Sequence, residues 1–235
     1  MNFVLRKNCE ENILKILFLE PHPDDLILSA FNFIENISSE DHELFGVTFC
    51  HKNVTNTPRN SSKYFEMMNI KNLNKILNIK DIEQVFYSEC TKYISMESID
   101  NHYEIYSKLY PETNKHIHDA MYECLSYVCP DLVVSPLGLL HMAHVLTKGN
   151  LNRLWFGDIL YYLDLPYIKR LPEKEQKKIY NLTYERKILS DEKFSKKMEL
   201  FLKLYPSEAY MIKDFDEYNI YKNEYLIWRF KNAKM

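Results

Sequence analysis

Glycine is scarce in this chain of 235 residues, with only Gly46, Gly138, Gly149 and Gly157 present. No G-x-G-x-x-G or G-x-x-x-x-G-K-[ST] can be written with them, which excludes the two common phosphate-cradling loops. No run reaches the ~18 uninterrupted apolar residues of a membrane span. The five cysteines, Cys9, Cys50, Cys90, Cys124 and Cys129, are odd in number and form no C-x-x-C pair. They read as small apolar side chains in a reducing compartment rather than as a disulfide framework. Neither sign of charge dominates: 30 Lys+Arg against 33 Asp+Glu give a net charge of −3, so no nucleic-acid partner is expected. The opening "MNFVLRKNCEENILKILFLEP" makes a poor signal peptide, because Lys15 interrupts its apolar segment and no small-residue cleavage site follows. The expected location is the cytoplasm.

What is present is an ordinary globular composition, 46% hydrophobic and 27% charged, enough for a sizeable core. No repeat or Gly/Ser linker divides the chain, so residues 1–235 are expected to form a single domain. Apolar runs over 13–21, 42–50, 83–88, 130–138 and 158–166 read as strands. Helical spacing appears over 27–37, over 57–79 with Thr57 as N-cap and Pro58 behind it, and over 189–205 with a Ser190 or Asp191 cap. Residues 100–129 read as mostly helical with a break near Pro111, and 224–230 suits either a strand or a helix. The mixed-charge stretch 168–187 reads as a solvated helix or flap. Strands alternating with helices imply an α/β fold, a mostly parallel sheet with helices on both faces. Ligands of such sheets sit at the carboxyl ends of the strands.

Two clusters fall on that rim. "LFLEPHPDDLIL" (17–28) places His22, Asp24 and Asp25 directly after the first strand. "PLGLLHMAHV" (136–145) places His141 and His144 after a later one. A metal that activates water needs about three protein ligands and an open position. His22 and Asp25 can converge from one turn, and one histidine of the second pair would complete a two-His, one-carboxylate set. Asp24 is then available as a general base for a metal-bound water, and the remaining histidine as oxyanion donor or acid. Taken alone, Pro-Asp-Asp before a helix is also good turn and cap chemistry, and H-x-x-H is commonly two unrelated histidines. Their joint occurrence on two rim loops favours a site.

"EPHPDDLILSA" resembles the H-P-D-D-E signature of the LmbE-like, or PIG-L, metal-dependent N-deacetylases. "DLVVSPLGLLHMAHVLT" is similar to that family's second motif, a strand followed by H-P-D-H, about 120 residues further on. Weaker similarities run through "DILYYLDLP" and "KKMELFLKLYPSE". The resemblance implies a Rossmann-like fold and hydrolysis of an N-acyl group, usually acetyl on an amino sugar or related small molecule. It implies His22, Asp25 and His144 as metal ligands, with zinc the usual ion; Fe(II) is the other candidate by the donor set alone. It implies Asp24 as base and His141 as the group that stabilises the tetrahedral intermediate. The chain departs from the pattern at Leu26, where the family has Glu, and at Met142-Ala143, where it has Pro-Asp. Without that aspartate, a carboxylate from elsewhere would have to support His141.

Polar and aromatic side chains that could contact a small-molecule substrate are Arg59 on the same rim, Arg153 and Trp155 after the second motif, and Ser207. Two other functions use the same residues. Two His and one Asp also suit a non-haem Fe(II) oxygenase, although those enzymes carry H-x-D on a β-rich barrel. The departures at Leu26 and Ala143 would suit a binding protein with a decayed site. The sequence carries no signal of oligomeric state.

Overall fold

The computed structural model describes residues 13–50, 61–80, 82, 102–182, 185–206 and 219–229. The strand expected over 83–88, the Thr57 cap, Arg59 and Ser207 lie outside these residues. In chain order the elements are β1 (Lys15–Glu20), α1 (Asp25–Ile37), β2 (Glu43–Thr48), α2 (Ser61–Met67), β3 (Lys71–Asn72) and α3 (Leu73–Ile76). Then come α4 (His102–Leu109), α5 (Pro111–Val128), β4 (Leu132–Pro136), α6 (Met142–Leu154) and β5 (Asp158–Tyr162). A 3-10 turn (Tyr167–Arg170), α7 (Glu173–Leu182), β6 (Glu185–Ile188), α8 (Asp191–Leu204), a second 3-10 turn (Asn219–Lys222) and β7 (Asn223–Arg229) complete the series.

The strands form one seven-stranded sheet in the order β3-β2-β1-β4-β5-β7-β6. Pairings from β3 through β5 are parallel, and β7 runs antiparallel between β5 and β6. The sheet is therefore mostly parallel, as the alternation of elements implies. Its central strands are buried on both faces, which is why β1 and β4 read as continuous apolar runs. One face packs on α1, α2, α7 and α8 through Phe31, Tyr64, Ile179 and Phe201. The other packs on α4, α5 and α6 through Tyr106, Met121 and Leu146. Each fully buried Leu, Ile or Phe contributes about 1.5–3 kcal/mol.

Most sequence expectations hold. Pro111 occupies the first turn of α5 and ends α4, Ser190 Oγ accepts the Lys193 N–H as the α8 cap, and 223–229 is a strand. The single helix expected over 57–79 is a correction. Asn69 takes a left-handed φ of 53°, which stops α2, and Lys71–Asn72 leaves the helical path to pair with β2. Edge-strand hydrogen bonds outweigh local helix propensity there. Gly46 permits the close approach of α2 to β2, since a Cβ at that position would lie 2.7 Å from the Phe65 ring.

Helix α1 is bent at Ala30, whose φ of −137° and ψ of 19° are not helical. The bend has an identifiable cause. In an unbroken helix the Asn32 N–H would donate to the Leu28 carbonyl. Instead Asn32 N–H donates to the Glu224 carboxylate at 2.9 Å, and the Leu28 carbonyl accepts from Lys197 Nζ at 2.7 Å. Lys197 and Glu224 are themselves 3.2 Å apart and buried. An ion pair from α8 and β7 is thus spliced into the α1 ladder. Glu224→Ala should destabilise the chain by about 3–5 kcal/mol, because it strands the Lys197 ammonium. The double replacement Lys197→Met/Glu224→Leu should still cost about 1–3 kcal/mol for each backbone group it orphans, the Asn32 N–H and the Leu28 and Tyr221 carbonyls. Urea midpoints of the two variants check this; a double variant as stable as the parent would contradict the splice.

Candidate metal centre

In the order β2-β1-β4-β5 the chain adds strands to one side up to β3 and then to the other side from β4, so the switch point lies between β1 and β4. Their carboxyl ends form the crevice in which ligands of such sheets bind. His22, Asp24 and Asp25 follow β1, while His141 and His144 open α6 just beyond β4. All five are buried.

Three ligand atoms converge. His22 Nδ1 lies 3.1 Å from His144 Nε2. Asp25 Oδ2 lies 3.3 Å from His22 Nδ1 and 3.2 Å from His144 Nε2. A tetrahedral ion with ligand bonds of about 2.0 Å has ligand-to-ligand edges of about 3.3 Å. This triangle fits that edge length, and the donor set of two imidazoles and a carboxylate suits zinc or another first-row divalent ion. His22, His141 and His144 also form a cluster whose donor atoms lie within 4.8 Å of one another. That looser spacing sets His141 beside the triangle, with its ring centroid 4.4 Å from that of His22 at an interplanar angle of 86°.

The turns that present these residues are specified locally. The Asp25 N–H donates to the His22 carbonyl at 3.1 Å, closing the turn, and Asp25 Oδ2 accepts the His22 N–H at 2.7 Å. Asp24 is the N-cap residue of α1 but makes no side-chain cap hydrogen bond. The cap explanation for the Asp pair therefore does not describe Asp24. On the β4 side, Gly138 and Leu140 both take left-handed φ values, 81° and 55°. Glycine adopts this readily; leucine does so at a cost of order 1–3 kcal/mol. Tyr106 of α4 holds the strained turn by donating its hydroxyl to the Leu140 carbonyl at 2.9 Å.

Asp164, immediately past β5, is the carboxylate that sequence reasoning missed. Its Oδ1 lies 2.7 Å from His144 Nδ1 and its Oδ2 accepts the Leu139 N–H at 2.7 Å. It fixes the ring of His144 so that Nε2 faces the triangle, the carboxylate–histidine support common at metal sites. It supports His144, whereas the support sought at Ala143 was for His141. His141 Nδ1 instead accepts the Ala143 N–H at 3.3 Å. Glu20, the last residue of β1, is a second unanticipated acid. It is fully buried and accepts from Thr48 Oγ1 at 2.7 Å. Burial, with the nearby Asp25 and Asp24 charges, holds it well above the ordinary carboxyl range. Tyr167, on the first 3-10 turn, packs its ring 5.4 Å from His141 and 5.0 Å from His144. No short-range signal marks any of the three, since each reaches the site through tertiary packing.

Leu26 lies in the core, as an apolar residue in that place should. Arg153 and Trp155 are not brought to the site. Helix α6 runs back from the rim, so Arg153 is about 13 Å further along it than His144. Its guanidinium pairs with Glu104 at 2.6 Å and lies over the Tyr103 ring. Trp155 precedes β5, at the end of the parallel strands away from the rim, and donates to the Asp158 carbonyl at 3.4 Å. No helix among the described residues is long and apolar enough to cross a membrane.

No family model matches the sequence, and no curated protein matches it either. Solved structures do. The A40926 pseudoaglycone deacetylase is 12% identical with a TM-score of 0.56, over 95% of this chain and 100% of its own. The zinc-inhibited form of teicoplanin deacetylase is 14% identical with a TM-score of 0.54, over 86% and 90%. This chain has the fold of the LmbE/PIG-L deacetylases. The same fold is found in the 4-carboxy-2-hydroxymuconate hydratase of Pseudomonas putida KT2440, 10% identical with a TM-score of 0.50 over 95% and 99%. At these identities the likeness establishes architecture, and the site must argue the chemistry.

Burial alone would depress His144, but the Asp25 and Asp164 charges overcome it and lift it to about 10. Burial alone would raise Asp25, yet His144 and His22 hold it well below the ordinary carboxylate range. In the metal-free chain His144 and Asp25 are therefore one buried ion pair. The His144 contribution to stability is complete below its ordinary value of 6.5 and is lost as pH rises through about 10. The Asp25 contribution is present above its ordinary value of 3.8 and is lost as pH falls through its depressed value. A metal ion must displace the His144 proton, so binding at neutral pH should release about one proton per ion. Calorimetry in buffers of different ionisation enthalpy checks this; no proton release would contradict the assignment. Asp164→Asn should weaken metal affinity about 10–100-fold, read by competition with a chromophoric chelator.

Proposed function

We propose that this protein is a metal-dependent amide hydrolase that removes an N-acyl group, N-acetyl foremost, from an amino sugar or related small molecule. The observation that carries the reading is the triangle of His22 Nδ1, Asp25 Oδ2 and His144 Nε2, with edges of 3.1–3.3 Å. A divalent ion held there supplies Lewis-acid polarisation of the amide carbonyl and makes water a usable nucleophile at neutral pH.

The chain's own residues supply the rest. Asp24, buried at the rim and not spent on capping α1, is the base that takes the proton of the attacking water. His141 Nδ1 accepts a backbone N–H, so the neutral ring carries its proton on Nε2. That N–H is a donor for the developing oxyanion. Burial and then the His22 charge hold His141 well below the ordinary histidine value, in keeping with a neutral donor. Asp164 keeps His144 oriented throughout. Tyr167 walls the site beside both histidines.

The teicoplanin deacetylase described in a zinc-inhibited form makes the identity of the ion a question for assay rather than analogy. The chain loaded in turn with zinc, iron(II) and other first-row ions should release acetate and a free amine from N-acetylated sugars. Asp24→Asn should lower kcat about 10²–10⁴-fold while leaving metal content unchanged, measured by amine derivatisation and elemental analysis. Full activity in Asp24→Asn would sink the base assignment. Oxygen consumption without amine release would favour the oxygenase chemistry of the same triad. Water addition to an unsaturated carboxylate without amine release would favour hydratase chemistry.

A further inference from the structure

A cleft of about 560 Å³ lies on the same rim, beyond β5, where the antiparallel strands β7 and β6 extend the sheet. It falls in the size range of small-molecule sites. Its walls include Lys169, Arg186, Asn219, Asn223, Tyr180 and Tyr225, with no carboxylate among the described residues that line it. Lys169 belongs to the 3-10 turn whose Tyr167 packs against His141 and His144. One face of that turn therefore bounds the metal centre and the other bounds the cleft. Strands β4, β5 and β7 are neighbours about 4.8 Å apart, which puts the cleft on the order of 10–15 Å from the triangle.

The polar groups of the cleft are set for an anion. Asn223 Oδ1 accepts from Arg186 Nη2 at 2.9 Å and from Nε at 3.3 Å, which fixes the guanidinium and leaves its other N–H groups to donate elsewhere. The same guanidinium lies 5.6 Å from the centroid of Tyr225, whose ring stacks on Tyr180 at 4.9 Å. Among the described residues, neither Arg186 nor Lys169 has a carboxylate within ion-pair distance. By contrast Lys177, Lys178, Lys187 and Lys193 nearby all do. Two cations without acidic partners among the described residues, one of them pre-oriented, face one concave space.

We propose that this cleft is a second subsite that holds a phosphate-class anionic group carried by the substrate, about 10–15 Å from the bond that is cut. Arg186 forks onto the anion, Lys169 adds a point charge, and the Tyr180–Tyr225 pair forms an apolar wall. The word substrate rests on the amidase reading; the binding itself does not. The specificity consequence is a preference for N-acylated compounds bearing a phosphate at their far end.

The test uses the full chain, metal-loaded and carrying Asp24→Asn so that nothing turns over. An N-acetylated disaccharide and the same compound phosphorylated at its far end are titrated calorimetrically, together with inorganic phosphate. The phosphorylated disaccharide should bind at least about tenfold more tightly than the uncharged one. That advantage should disappear in Lys169→Gln/Arg186→Gln, with each single variant losing part of it. Circular dichroism of the variants establishes that they are folded. An equal affinity for the two disaccharides overturns the proposal. So does an advantage that survives both substitutions, since the anion then binds elsewhere, for instance at the metal. Phosphate bound through Lys169 and Arg186 with no gain for the phosphorylated disaccharide identifies a free anion and overturns the substrate-borne reading. If the Asp24-competent chain releases no amine, the amidase reading fails while these titrations still report on the cleft.

Discussion

A single carboxylate oxygen, Asp25 Oδ2, holds the two halves of the site together. It lies within 3.3 Å of an imidazole from the loop after β1 and within 3.2 Å of one from α6. A buried charge of this kind persists only where partners compensate its lost hydration. The compensation comes from both sides of the crevice, so the site exists only when β1 and β4 are paired in register. Asp164 extends the dependence to a third strand, since it follows β5 and grips both His144 and the backbone of Leu139.

The carboxylate is aimed by α1, and α1 is not a free-standing helix. Its first turn begins at Asp25, while its ladder is interrupted at Ala30 by Lys197 and Glu224. On both sides of the interruption the helix buries apolar side chains in the same core, Leu26 and Ile27 before it and Phe31 and Ile34 after it. The chain commits a fully buried ion pair from α8 and β7 to this one bend. Stability and site geometry are thus coupled through elements nearly the whole chain apart. Glycine scarcity has the same flavour: Gly46 and Gly138 stand where backbone approach or a left-handed turn requires them, and strained Leu140 is held by Tyr106.

Much of this was legible in the sequence. Apolar runs ending at Pro21 and Pro136 marked two neighbouring strands, and His22, Asp24, Asp25, His141 and His144 fell directly after them. The break at Pro111 and the Ser190 cap were also readable, because both are local. Arg153 and Trp155 are near His144 in sequence and not in space. A helix leaving the rim carries its later residues away, and α6 does so. The helix expected over 57–79 failed for the opposite reason, since a short edge pairing overrode a local preference.

The sequence by itself determined the fold class and the residue types at the rim, because both follow from short-range periodicity and from where strands stop. Only the tertiary structure decided which atoms meet. The 3.1–3.3 Å triangle, the grip of Asp164 on His144, the buried acid Glu20 and the Tyr167 wall all join residues from separate elements. Their positions depend on strand register and helix direction, which are long-range properties of the packed sheet. A sequence motif names candidate ligands; the distance between Asp25 and His144 is set by the pairing of β1 with β4.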